Sequence, residues 1–274
     1  MTAEPDPGTT RIRLDLSYDG TGFHGWSSQP GQRTVQQEVQ EALARILPSA
    51  SPQLTVAGRT DTGVHARGQV AHLDVPGGAW AGAAATALRR LAGLLPPDIR
   101  VRAIGPAPPG FDARFSALWR RYSYRVNDDL SAADPLRRHD TLAHPRSLDI
   151  ERMNAASVDL AGEHDFAAFC RRRPGATTIR ELIRLDWERP AAGLAVATVI
   201  ADAFCHSMVR SLAGALLAVG DGRKLISWPA QVLAAGARDP AVHVAPPHAL
   251  CLEEVRYPAA GFAERASLTR RVRS

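Results

Sequence analysis

The stretch Gly58-Arg59-Thr60-Asp61-Thr62-Gly63-Val64-His65 is where this 274-residue chain most plainly concentrates chemistry. Glycines on both sides let the backbone turn sharply and present one short acid, with Arg59 and His65 flanking it as cationic or titratable groups. A carboxylate presented in that way acts as a nucleophile or a base. The plainer reading is an Asx-turn in which Asp61 caps the backbone between two strands. Two other places bear on the choice. Arg210 is the only charged residue in the apolar run 207–219, amid Met208, Val209, Leu212, Leu216 and Leu217. A guanidinium buried there needs a partner, since stranding it costs about 3–5 kcal/mol; in a first helical turn it simply reaches water. Tyr122 and Tyr124 share one face of RRYSYRV, with Arg120, Arg121 and Arg125 nearby. That is an aromatic platform among cations suited to stacking an unpaired base, or core packing beneath solvated arginines.

Other chemistries lack their parts. Gly20, Gly22 and Gly25 spell G-x-G-x-x-G after a strand. Pro30 and Gly31 then delay the next helix to Thr34, so no helix N-terminus faces a pyrophosphate and the dinucleotide reading falls. His65 and His72 stand seven residues apart, a spacing that suits neither one helical face nor a zinc pair, and no metal is expected. There is no G-x-S-x-G elbow and no P-loop lysine. Cys170, Cys205 and Cys251 are odd in number and form no C-x-x-C pair, which points to a reducing compartment and against a disulfide framework.

The elements that must position these residues follow from periodicity. Residues 11–18 alternate as a half-buried strand. Thr34 and Gln37 offer a capping box for an amphipathic helix over 34–47, which Pro48 stops. Strands are predicted at 53–57, 69–75 and 99–104, with a helix over 81–94. After a hinge at 105–110 (GPAPPG), strands are predicted at 120–126, 179–187 and 194–201, a helix over 147–161, and a nearly all-apolar helix over 207–219. The order β-α-β-α-β thus occurs twice, giving two similar α+β halves: an N-terminal subdomain over 11–107 that carries the Asp61 loop, and a C-terminal one over 111–258 with the tyrosine strand and arginine helix. Residues 1–10 and 259–274 read as flexible termini. Apolar residues make up 45% and charged residues 22%, and no apolar run approaches a bilayer span. The net charge of +5, with Lys224 the sole lysine among 33 basic residues, makes polyanions plausible partners.

In five ordered motifs, from about Arg11 to Pro258, the chain resembles the tRNA pseudouridine synthase A family. YDGTGFHGW at 18–26, GRTDTGVHARGQVAHLD at 58–74, FDARFSALWRRYSYRV at 111–126, FAAFC at 166–170 and FCHSMVRSLAGALLAVG at 204–220 carry the likeness. Ser27 stands where the family usually has glutamine, Asp112 where it usually has histidine, and HALCL at 248–252 replaces EGLYL. The resemblance implies an α+β pseudouridine synthase fold, two subdomains with mainly antiparallel sheets flanking a basic cleft. It implies a cytoplasmic isomerase that needs no cofactor and converts uridine to pseudouridine at positions 38, 39 and 40 of the tRNA anticodon stem-loop, working as a homodimer without a membrane. It makes Asp61 the catalytic carboxylate, Tyr122 the residue that stacks on the target base, and Arg210 the partner of the aspartate. Arg59 and His65 join the substrate-binding set, and Arg120, Arg121, Arg171, Arg172 and Arg173 are the candidates for phosphate contacts, with Arg137 and Arg138 beside them. The competing reading is a non-catalytic RNA-binding or chaperone protein with the same fold and basic cleft, which has no need of an acid beside phosphates.

Overall fold

The computed structural model describes residues 8–48, 52–171 and 177–269. Among these, residues 8–118 and 252–269 form one compact unit and residues 119–251 another. Both are mixed α/β with mainly antiparallel sheets, the expected class.

The first unit opens with β1 (Thr9–Tyr18), which buries Ile12, Leu14, Leu16 and Tyr18 in alternation. Next comes α1 (Val35–Ile46), with Val35, Val39, Ala42, Leu43 and Ile46 inward. Thr34 caps it, its hydroxyl accepting from Gln37 N at 3.4 Å, but only half of the expected box forms, because the Gln37 side chain donates to Glu41 at 2.9 Å. β2 (Thr55–Val56) is short, and β3 (His65–Pro76) begins earlier than predicted, taking in the end of the GRTDTGVH motif. The single helix expected over 81–94 is two, α2 (Gly77–Ala83) and α3 (Ala87–Leu94). Both the N–H and the hydroxyl of Thr86 turn back onto Ala83 O, closing a tight turn that interrupts the helix. β4 (Ile99–Pro106) completes this part; β1 pairs antiparallel with β3 on one side and β4 on the other.

The division between units falls at 118/119, where the sequence reading places it at 105–110. β4 takes in the first two residues of the supposed hinge, Gly105 and Pro106, and residues 111–118 stay with the first unit. Phe111 and Ala113 are fully buried there. Arg11 donates to Phe111 O at 2.8 Å, and Ala113 N–H donates to His72 Nδ1 at 3.0 Å. Burial, aided by the Arg11 charge, pushes His72 down to about 4 against the opposing carboxylates of Asp112 and Asp74.

The second unit holds β5 (Trp119–Asn127), β6 (Leu142–Ala143), α4 (Ile150–Ser157), β7 (Gly162–Asp165), β8 (Ile179–Ala191), β9 (Leu194–Ala201), α5 (Met208–Gly220) and α6 (Trp228–Ala235). Its sheet runs β5-β9-β8-β7, with β6 parallel to β5. α5 is buried along nearly its whole length. An anion at its C-terminus opposes the helix dipole, yet Asp221 sits there fully buried, 2.7 Å from Arg223, 3.4 Å from Arg146 and 3.3 Å from His144. Burial raises the carboxyl's pKa, but the Arg223 hydrogen bonds outweigh it and hold the group below the usual range.

Contrary to the expectation of no disulfide, Cys170 and Cys205 are disulfide-bonded, Cα to Cα 5.8 Å, and Cys251 is a buried thiol outside any disulfide. Thirty-five residues separate the pair, so spacing gave no sign that the chain returns Cys205 to the end of the Phe166–Phe169 turn.

The chain then comes back to the first unit through β10 (Leu250–Arg256), whose part from Leu252 lies beside β3, and α7 (Phe262–Thr269). Residues 259–269, expected to be a flexible end, therefore include a helix with Ala266 buried and Arg265 donating to Ala117 O at 3.3 Å. No described helix is long and apolar enough to cross a membrane.

Candidate active site

Asp61 is half-buried in the β-turn Asp61–Val64, which Val64 N–H closes on Asp61 O at 3.1 Å. Gly63, third in the turn, has φ 76°, the left-handed conformation that a glycine adopts without strain. The turn hangs on the loop that follows β1: Trp26 N–H donates to Thr60 O at 3.0 Å, and Gly63 N–H to Phe23 O at 3.3 Å. Those bonds require an extreme approach of two backbones. A Cβ on Gly20 would lie 2.1 Å from Val64 O, and one on Gly25 2.8 Å from Thr60 O. The first and last glycines of G-x-G-x-x-G, Gly20 and Gly25, thus cradle the turn that carries the acid.

The two residues flanking Asp61 part company. Arg59 is exposed. His65 is 7% exposed, and its Nδ1 accepts from Gly20 N–H at 2.9 Å while lying 3.1 Å from Asp19 Oδ1. One ring nitrogen therefore has a backbone donor and a carboxylate before it. Arg59, Asp61 and His65 share the 58–65 segment of the first unit; the remaining site residues belong to the second.

There, Tyr122 is 7% exposed on β5 and meets Phe204 edge-to-face, centroids 5.1 Å apart. Tyr124, fully buried, donates its hydroxyl to Pro246 O at 3.0 Å; burial pushes its pKa up, with the nearby Arg210 charge working the other way. Arg210 is half-buried in the first turn of α5, and its Nε donates to Ala245 O at 2.7 Å, while Ala245 N–H returns a bond to Arg210 O at 3.0 Å. The run 243–246 reaches the helix because of Gly214, where a Cβ would lie 1.8 Å from His243 O. The helix begins at Ser207, the one described non-glycine residue with positive φ, 65°. That strained cap sits three residues before Arg210 and directly follows the Cys205 disulfide and a bond from Arg171 N–H to His206 O at 3.0 Å.

Among the proposed phosphate contacts, Arg171 is exposed and Arg121 half-buried. Arg120 is 6% exposed and donates to Asp202 O at 2.5 Å, which gives it an internal partner. Arg172 and Arg173 lie outside the described residues. No group of three described His, Cys, Asp or Glu residues is placed to hold a metal ion. Sequence reasoning passed over Phe204, the Ala245 carbonyl, and the buried polar trio Tyr18, Thr60 and Gln69. Of these only Gln69 left a signal, as a polar residue at an inward position of the alternation Gln69, Ala71, Leu73, Val75.

A family model described as tRNA pseudouridine synthase matches residues 156–258. A Streptomyces griseus protein named tRNA pseudouridine synthase A is 58% identical over 277 residues, covering 100% of this chain and 98% of its own. Proteins of the same name from Frankia casuarinae and Mycobacterium leprae are 61% and 50% identical, covering 97% and 100% of this chain and 96% and 99% of their own.

Proposed function

The chain belongs to the tRNA pseudouridine synthase A family and is an isomerase that forms pseudouridine in tRNA; from that premise we propose that it acts at positions 38, 39 and 40 of the anticodon stem-loop, with Asp61 as its catalytic carboxylate. The reaction breaks the N1–C1′ bond, turns the uracil and joins C5 to C1′; N1 gains a proton and C5 loses one, so no electrons are exchanged. The target base must leave its stack, which costs a few kcal/mol, and stacking on Tyr122 returns about 1–3 kcal/mol. Arg210, Arg59 and His65 bind the substrate. Arg121, Arg171, Arg172 and Arg173 contact phosphates, with Arg120 supporting them from within, so affinity falls steeply with salt. The enzyme acts in the cytoplasm as a homodimer.

One observation carries this reading. Asp61 occupies a turn built by glycine-permitted backbone contacts on both sides, far more support than a mere loop cap needs. The test is tritium release from tRNA labelled at uridine C5, since only C5 glycosylation expels that hydrogen. Release is expected from tRNA with uridine at 38–40 and none from tRNA with cytidine there. Absence of release from the uridine-bearing tRNA overturns the reading, and equal release from both overturns the assignment of positions.

A further inference from the structure

Three polar side chains in the first unit lie in its interior without any part in the mechanism above. Gln69 is 0% exposed, Tyr18 5% and Thr60 6%. Gln69 lies opposite Leu16 in the β1–β3 pairing, on the apolar face, where an amide is tolerated only if its hydrogen bonds are made. They are. Its Nε2 donates to Gly58 O at 2.8 Å and to Tyr18 Oη at 3.1 Å, and its Oε1 accepts from Val70 N–H at 3.2 Å. The Tyr18 and Thr60 hydroxyls are 2.7 Å apart. The phenol oxygen, which accepts from Gln69, thus also shares a hydrogen bond with Thr60 Oγ1, in which either hydroxyl can donate. The chain of bonds therefore starts in two strands and ends on both sides of Arg59: on the carbonyl of Gly58 and on the side chain of the residue before Asp61.

We propose that Tyr18, Gln69 and Thr60 are positioning residues that fix where the Asp61 turn sits on the sheet, an inference that rests on the catalytic assignment of Asp61. The bonds to Thr60 O and Gly63 N tie the turn to another loop; the buried relay ties it to β1 and β3, which are the rigid part of the unit. Apolar filler serves packing equally well, so the relay's polarity is explained by geometry at Asp61 rather than by stability.

The test compares single-turnover tritium release, tRNA affinity and thermal unfolding for Tyr18→Phe, Thr60→Val and Thr60→Ser, beside wild type and Asp61→Ala. Tyr18→Phe and Thr60→Val, which keep shape and lose the bond, are each expected to slow release about tenfold at saturating enzyme with unchanged tRNA affinity. Thr60→Ser, which keeps the hydroxyl, stays within about twofold of wild type, and the double variant is no slower than either single one. Wild-type rates in both bond-deleting variants overturn the proposal, as does an equal loss in Thr60→Ser or losses that multiply in the double variant. Should Tyr18→Phe fail to fold, the Val and Ser variants of Thr60 decide alone. No release from wild type itself overturns the underlying functional reading; release that Asp61→Ala abolishes and the relay variants leave intact overturns only the relay.

Discussion

Two of the close backbone approaches in this molecule, at Gly20 in the first unit and at Gly214 in the second, fix the residues they serve by opposite means. At Gly20 the loop after β1 lies against the Asp61 turn, which backbone hydrogen bonds at Thr60, Gly63 and Val64 hold in place. At Gly214 the run 243–246 lies against α5, and Arg210 takes its place through its own Nε on Ala245 O. A residue in a turn inherits its position from the surrounding peptide groups. A residue on a helix starts from a rigid backbone and needs only its side chain steered. Changes around Asp61 should therefore cost turnover more than stability, and changes around Arg210 should cost both.

The largest effect tests the acid itself. Asp61→Ala should slow tritium release by at least about a thousandfold while tRNA binding by filter assay persists; substantial product from that variant removes the assignment. Next come the two glycines. Gly20→Ala and Gly214→Ala each force a Cβ onto a carbonyl oxygen, and denaturant titration should show Gly214→Ala losing about 3 kcal/mol, because its neighbours belong to a buried helix. Gly20→Ala should lose less stability and more activity; the reverse order would break the contrast between turn and helix. A smaller change is Arg210→Lys, which keeps the charge but has no Nε to donate to Ala245 O. A loss of about tenfold in turnover is expected, and Arg210→Ala should lose activity and some stability together. An unaltered rate for both would leave that arginine serving only solvent.

The smallest effect on turnover is assigned to His72. Its folded pKa of about 4 lies below the unfolded value of 6.5, so the unfolded chain binds the extra proton in that window. Stability is then fully present above pH 6.5 and falls as pH drops toward 4, by about 3 kcal/mol at most. His72→Asn, which keeps an acceptor for Ala113 N–H, should flatten that slope in urea melts at pH 6.5, 5.5 and 4.5 while leaving the rate at neutral pH unchanged. An unaltered slope would move the acid sensitivity elsewhere.

Much of this was legible in the residues alone. Alternation located β1, β5 and β9, Thr34 marked the start of α1, and the isolated charge on an apolar helix singled out Arg210. Rejecting a nucleotide cradle at Gly20–Gly25 was also possible from the helix start at Thr34. What Gly20 and Gly25 do was not legible, because the partners that need their missing side chains are Val64 O and Thr60 O, more than thirty residues away. The same limit hid what Gln69 does: its partners are a loop carbonyl and a strand end that alternation does not connect. The disulfide and the placement of 111–118 failed for a related reason, since each depends on where a distant segment returns. Periodicity reports which way a residue faces, and says nothing of what faces it.

The last strand of the first unit has a consequence for synthesis. When residues 8–118 have emerged from the ribosome, one flank of β3 is paired only by the two-residue β2, and the segment that covers it, from Leu252 onward, has yet to be made. The entire second unit is translated in between, and domains ordinarily fold as they emerge, N-terminal first. Here the later-born unit can finish before the earlier one, and an open strand edge waits meanwhile as a template for mispairing. A nascent chain stalled short of residue 252 should consequently be the form of this protein that chaperones hold and that aggregates when they are scarce.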